Sequence, residues 1–318
     1  MALVLGNDLA GRSVTLPVEP SEKISIAGVS GSGKSFLAYR LCEEFVLAGQ
    51  KVGILDPVGI AWGLRSGFDG DPAKGFPIRI FGGARADLQL QQPKKAAEEF
   101  IAGVEPAIFD LSMTSYETMH WWCAEFCNRI GELGSTIRQP FNLVVEESPI
   151  FCPQVGSLSR FQKSSRAALC QYSRVYRNFG AGLTLLTQRA AAIDKNCFGQ
   201  CSTFVGLRVA SKLDRKALLE WSAVNGVDMG KDLDSLAASE PGNAAIWSPV
   251  FGGQMGTRFK VALRSTFHPS ARDLNGNRAV RLKEISPVRV SVPAHFSWKS
   301  IWGGLCGKQK QGSDPVVR

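Results

Sequence analysis

Along this 318-residue chain the apolar positions switch repeatedly between two periods. Short, almost uninterrupted apolar runs predict buried strands at Lys23–Ala27, Lys51–Asp56, Pro77–Gly83, Pro106–Leu111, Phe141–Glu146, Gly182–Gln188 and Ser202–Arg208. Between them, helical spacing predicts helices over Phe36–Ala48, Lys94–Val104, Thr114–Glu132, Arg160–Phe179 and about Lys212–Ala223. Gly49 ends the first of these, and Thr114 or Ser115, with Glu117 close behind, caps the third. Two further strands are expected near Ala244–Trp247 and Arg258–Leu263. Leu3-Val-Leu5 and Ser13-Val-Thr-Leu16 flank a Gly-Asn-Asp turn, so residues 1–22 read as a small β element packed on the main domain. Such alternation predicts an α/β fold over 23–269, with a mostly parallel central sheet, helices on both faces and antiparallel strands at an edge. Beyond Pro269 the periodicity fades, and 270–318 reads as a basic, weakly ordered tail. Trp298 and Trp302 in that tail either form a small docking patch or tuck against the domain.

Composition changes this picture little. Apolar residues make up 44% of the chain and charged ones 20%, which suits a globular protein with ample core. No apolar stretch approaches the roughly 20 residues of a membrane helix, and no basic region precedes an apolar run at the start. A cytoplasmic protein without membrane attachment is expected. The net charge of +9 points towards a polyanionic partner, or else to a solvated basic face; nine Lys/Arg against three Asp/Glu lie between Ala271 and Arg318. The eight cysteines include two i, i+4 pairs, Cys123/Cys127 and Cys197/Cys201. With histidine only at His120, His268 and His295, no four-ligand zinc spacing emerges, and the thiols read as small buried hydrophobes.

The chemistry is concentrated in a few segments. Gly28-Val29-Ser30-Gly31-Ser32-Gly33-Lys34-Ser35 has the GxxxxGK[ST] spacing, lies between a strand and a helix, and is followed by Phe36. Its backbone N–H groups and the helix start make an anion site. Lys34 is expected to reach the β- and γ-phosphates of ATP, and the Ser35 hydroxyl to hold Mg²⁺. At the tip of the Phe141–Glu146 strand, Glu146 is expected to contact the magnesium through water and Glu147 to polarise the attacking water. Gln188, ending another apolar strand, can sense the γ-phosphate by hydrogen bonding. Arg174 and Arg177 lie on the helix before that strand, and either can serve a neighbouring subunit as an arginine finger.

Together these segments resemble the HerA–FtsK superfamily of ring-forming ATPases, and among them the HerA-like proteins. The resemblance covers roughly residues 5–268. It includes Leu5-Gly-Asn-Asp-Leu-Ala-Gly11, the phosphate loop, Ile54–Arg65, Ile80-Phe-Gly-Gly83, the double-Glu strand end and Phe179–Arg189. It implies a RecA-like P-loop core that assembles as a homo-hexamer, encircles double-stranded DNA and moves it with ATP. It also implies that Arg177 acts in trans and that Gln188 takes the sensor position. Three departures stand out: Glu146-Glu147 where the family has Asp-Glu, Asn178 where a Lys often follows the finger, and Ala190 where a Pro follows Thr-Gln-Arg. Only 27 residues precede Gly28, so the motor is expected without the usual β-barrel, and a nuclease or other effector partner is left open.

An ATP-driven DNA translocase is therefore the leading expectation. A phage packaging or secretion motor is a second one, although 270–318 is too short for a nuclease domain. A nucleotide-dependent switch that hydrolyses little is the third.

Overall fold

The computed structural model describes residues 2–17, 19, 21–137, 139–156, 158–248 and 256–269. The tail from residue 270, with Trp298 and Trp302, lies outside the described residues. Among those described, eleven strands join one sheet. They are β1 (Ala2–Asp8), β2 (Ser13–Pro17), β3 (Lys23–Ala27), β4 (Lys51–Asp56), β5 (Arg79–Phe81), β6 (Ala107–Asp110), β7 (Phe141–Val145), β8 (Ala181–Thr187), β9 (Thr203–Gly206), β10 (Asn243–Trp247) and β11 (Thr257–Val261). The order across the sheet is β2-β1-β11-β10-β9-β3-β8-β7-β4-β6-β5. From β9 to β5 every pairing is parallel. From β9 back to β2 every pairing is antiparallel. The N-terminal hairpin β1–β2 thus extends the same sheet through β11.

Seven helices connect the strands: α1 (Lys34–Leu47), α2 (Pro93–Ala102), α3 (Tyr116–Glu132), α4 (Gln162–Val175), α5 (Lys195–Phe198), α6 (Lys212–Val224) and α7 (Gly230–Ala237). The near-continuous apolar strands are explained by burial on both faces. In β7, Leu143 and Val145 enter one apolar cluster while Val144 enters the other. In β8, Leu183 and Leu185 face the first cluster and Leu186 the second. Leu37, Leu41 and Phe45 of α1 fill the second cluster, whereas Phe100 of α2, Trp122 and Phe126 of α3, Leu169 of α4 and Leu218 of α6 fill the first. Phe109 of β6 touches the rings of Phe81, Phe100, Trp122 and Phe126, so each aromatic there buries its ring against another.

This is the α/β architecture, a mostly parallel sheet with an antiparallel edge, expected from the alternation of elements. Between β3 and β4, which α1 connects, lie β8 and β7. The crossover therefore brings the end of β3 beside two strand tips that come much later in sequence, and a ligand site belongs in that crevice. Beyond β11 the chain returns to α1, where the buried Glu43 accepts bonds from the backbone N–H groups of Ser265 and Thr266 and pairs with Arg264. Among the described residues no helix is long and apolar enough to cross a membrane.

Candidate nucleotide-binding and catalytic site

After Ala27 the backbone turns sharply through residues 28–33 before α1 begins at Lys34. Gly31 and Gly33 take φ of 74° and 100°, left-handed values that favour glycine. A Cβ on Gly28 would stand 2.6 Å from Ser32 Oγ and 3.0 Å from Leu207 Cβ, so a side chain here would force its neighbours to shift. Neighbouring strands hold the loop. Gly28 N–H donates to the Thr187 carbonyl at 3.2 Å, and Val29 N–H to the Arg208 carbonyl at 2.9 Å. Gly33 caps α1 without a side-chain bond, which leaves the helix start for an anion. Ser30 is exposed; the Phe36 ring turns to His268, 5.7 Å away between centroids.

Three side chains from two later strand tips meet this loop. Ser35 Oγ donates to Glu146 Oε1 at 2.5 Å. Lys34 Nζ lies 3.8 Å from the same oxygen and 3.3 Å from Glu147 Oε1. Gln188 Nε2 donates to Glu147 Oε1 as well. Glu147 therefore stands between the loop lysine and the tip of β8.

The backbone shows how Glu147 is put there. Glu146 N–H bonds the Leu55 carbonyl of β4, and Ser148 bonds the Leu186 carbonyl of β8 through both its N–H and its hydroxyl. The residue between two such anchors must turn, and Glu147 takes a φ of 44°. It is the one non-glycine residue at positive φ among the described residues. Strain of this kind clusters at functional sites.

Glu146 is buried to 1% exposure, and burial pushes its carboxyl up to about 7 although Lys34 and the Ser35 hydroxyl oppose the shift. Its Oε2 is buried with no hydrogen-bond partner among the described residues. An acid held against a hydroxyl, with one oxygen unsatisfied, is a donor set suited to a hard divalent cation.

Two features were not foreseen. Gly242, in the turn before β10, donates its N–H to the Ser32 carbonyl at 2.9 Å, so the antiparallel edge closes on the phosphate loop. Asp56, at the tip of β4, is fully buried and accepts the N–H groups of Val58, Gly59 and Ala61. Burial raises its carboxyl to about 6, with the neighbouring Asp110 adding to the shift. In sequence Asp56 is simply the last residue of the Lys51–Asp56 strand.

Arg177 is not brought to this site. It lies in the 3₁₀ turn Tyr176–Phe179, ahead of β8, whose far end carries Gln188. Seven residues of strand, roughly 20 Å, separate the two ends. There Arg177 is 52% exposed and pairs with Glu22 at 3.1 Å.

No protein-family model matches the chain. Over 104 residues, 33% of its length, it is 33% identical to the probable DNA double-strand break repair helicase HerA of Methanocaldococcus jannaschii. Over 106 residues it is 30% identical to the DNA double-strand break repair helicase HerA of Saccharolobus solfataricus. Over that third of its length the chain is similar to the HerA helicases. It spans about a fifth of the length of these curated HerA relatives, 20% of each. In fold it is similar to VirB4 of Thermoanaerobacter pseudethanolicus, with a TM-score of 0.58 at 13% identity over 82% of this chain and 96% of that one. The VirB4 likeness is one of fold alone.

Proposed function

We propose that this chain binds and hydrolyses ATP and uses the cycle to move double-stranded DNA in the cytoplasm, as a homo-hexameric ring serving a partner protein. The observation that carries the reading is the meeting of Lys34, Ser35, Glu146, Glu147 and Gln188 at three adjacent strand tips. The loop N–H groups and Lys34 would bind the phosphates. Ser35 and Glu146 would hold Mg²⁺, which when bound neutralises developing charge on the phosphates. Glu147 would take hydrogen bonding from the attacking water and hold it in line, and Gln188 would report whether the γ-phosphate is present. The likeness to the HerA helicases supports DNA as the substrate. The net charge of +9 supports a polyanion in general.

Arg177 is assigned to the neighbouring subunit's site. It stands a strand length from its own phosphate loop, so it cannot act there. Its pairing with Glu22 is half-exposed and holds it only weakly.

The test is ATP turnover with and without long duplex DNA. Turnover should rise with DNA, and Glu147→Gln should lower kcat by about 10²-fold or more while ATP still binds. Slow hydrolysis indifferent to DNA would overturn the motor and favour a nucleotide switch. The direct Ser35–Glu146 contact and the raised Glu146 carboxyl are what such a switch would be built on.

A further inference from the structure

Three cysteines far apart in sequence converge behind the tips of β7 and β8. Cys152 follows the β7 tip, Cys170 lies on α4 and Cys197 on α5. Their sulfurs all lie within 4.8 Å of one another, with Cys152 and Cys170 at 3.7 Å. They gather against one turn of α4, where Cys152 contacts the Arg166 carbonyl and Cys197 the Leu169 carbonyl. A carboxylate adjoins the group: Asp194, 1% exposed, has its Oδ1 at 3.5 Å from Cys170 Sγ, but it lies outside the set of atoms within 4.8 Å of one another. Asp194 is oriented by the N–H groups of Asn196 and Cys197 on Oδ1 and by Arg166 on Oδ2.

We infer that Cys152, Cys170, Cys197 and Asp194 form a binding site for one zinc ion. In a tetrahedral zinc centre with Zn–S of about 2.3 Å and Zn–O of about 2.0 Å, neighbouring sulfurs stand about 3.8 Å apart, and sulfur and oxygen about 3.5 Å. The Cys152–Cys170 and Cys170–Asp194 separations match those edges, and Cys197 and Asp194 must both close in for one ion to be held by all four. As neutral thiols these groups only hydrogen-bond, whereas once ionised they and the carboxylate are like charges that a bound cation would neutralise. On binding, the thiols release their S–H protons to solvent and the three thiolates with the carboxylate ligate the ion. Arg166 on Oδ2 supplies the outer partner that orients a ligating carboxylate. Cys170 is only half-buried, which leaves a route for the ion to enter.

The position gives the ion a structural task. Cys152 lies five residues beyond Glu147, and its carbonyl accepts the N–H of Asp194 at 2.9 Å. Pro153 bridges to Ile193, and Ala192 accepts from Gln154. Zinc would clamp together the two segments that leave Glu147 and Gln188, fixing the spacing of the two side chains.

The test uses the reduced, metal-free full chain titrated with Co²⁺ in the absence of oxygen. One equivalent should produce the visible bands and the sulfur-to-cobalt charge-transfer band of tetrahedral thiolate ligation, and Zn²⁺ should abolish them. The phosphate loop offers Co²⁺ only oxygen ligands, so the charge-transfer band reports this site alone. Cys170→Ser should lose the band, while Cys42→Ser and Cys306→Ser keep it. Mass-spectrometric mapping on the wild-type protein gives a second readout that needs no variant: Zn²⁺ should slow alkylation of Cys170. A folded, reduced wild-type chain that shows no such band overturns the inference, as does a band that survives Cys170→Ser. Unchanged alkylation of Cys170 with Zn²⁺ would do the same.

Discussion

Glu147 shows chemistry and stability pulling in opposite directions at one residue. A side chain at φ 44° costs on the order of 1 kcal/mol relative to an unstrained backbone. Glu147→Gly should therefore stabilise the fold by roughly 0.5–1 kcal/mol in chemical denaturation, after allowing for the looser unfolded chain. The same variant should have no measurable turnover. A loss of stability instead would mean that the contacts with Lys34 and Gln188 outweigh the backbone strain. Nothing in the apolar pattern forecast the strain, because it arises from the anchoring of Glu146 to β4 and of Ser148 to β8. The place of the two acids beside the phosphate loop was legible, since they end an apolar strand downstream of it.

Among the elements, β4 carries an instructive charge. Lys51 opens the strand at 1% exposure, and its Nζ donates to the carbonyls of Phe100, Ile101 and Gly103 where α2 ends. It also lies over the Phe100 and Phe141 rings. Burial lowers its ammonium group from 10.5 to about 8. Between those two values the unfolded chain binds more protons than the folded one, so stability should rise with pH across that window and be lower below it. Lys51→Met leaves three helix-end carbonyls without their donor and should cost about 2–4 kcal/mol near neutral pH. It should also remove the alkaline rise. Urea titrations of both proteins at several pH values would check both expectations, and a rise that persists in the variant would assign it to another group. In sequence this lysine simply opens an apolar strand. Only the placing of α2 beside β4 and β7 reveals its burial.

Elements with a strong period were legible for the same reason that they are stable. α3 begins at Tyr116 behind a Ser115 cap, as Ser115 and the nearby Glu117 suggested, because a local signal and a buried apolar face agree there. The predicted helix over Arg160–Phe179 is instead α4 followed by a 3₁₀ turn that ends at Gly180 with φ 81°. α7 was missed altogether: it has eight residues and buries only Leu233 and Leu236, too little pattern to read without its neighbours. The thiol group of Cys152, Cys170 and Cys197 was invisible for a related reason, since metal-site spacing in sequence detects only ligands that are close along the chain.

At the scale of the assembly, the proposed ring makes each nucleotide site depend on two chains. Mixing Arg177→Ala subunits with Glu147→Gln subunits should restore part of the turnover that each lacks alone, because some junctions then pair an intact Arg177 with an intact Glu147. Mixtures that stay inactive would count against Arg177. DNA-stimulated turnover should fall steeply with added salt, as phosphate contacts do. Native mass measurement with ATP and DNA would give the number of chains directly.

The separation of Arg177 from its own phosphate loop by the full length of β8 has a further consequence. If the proposed ring forms and Arg177 serves its neighbour, activity would count junctions rather than molecules. An open row of subunits always has one idle site at its end, whereas a closed circle has none. Dilution should therefore silence activity before it unfolds anything, and the last subunit to join would contribute two working junctions, where the first contributed none and each one between contributed a single one.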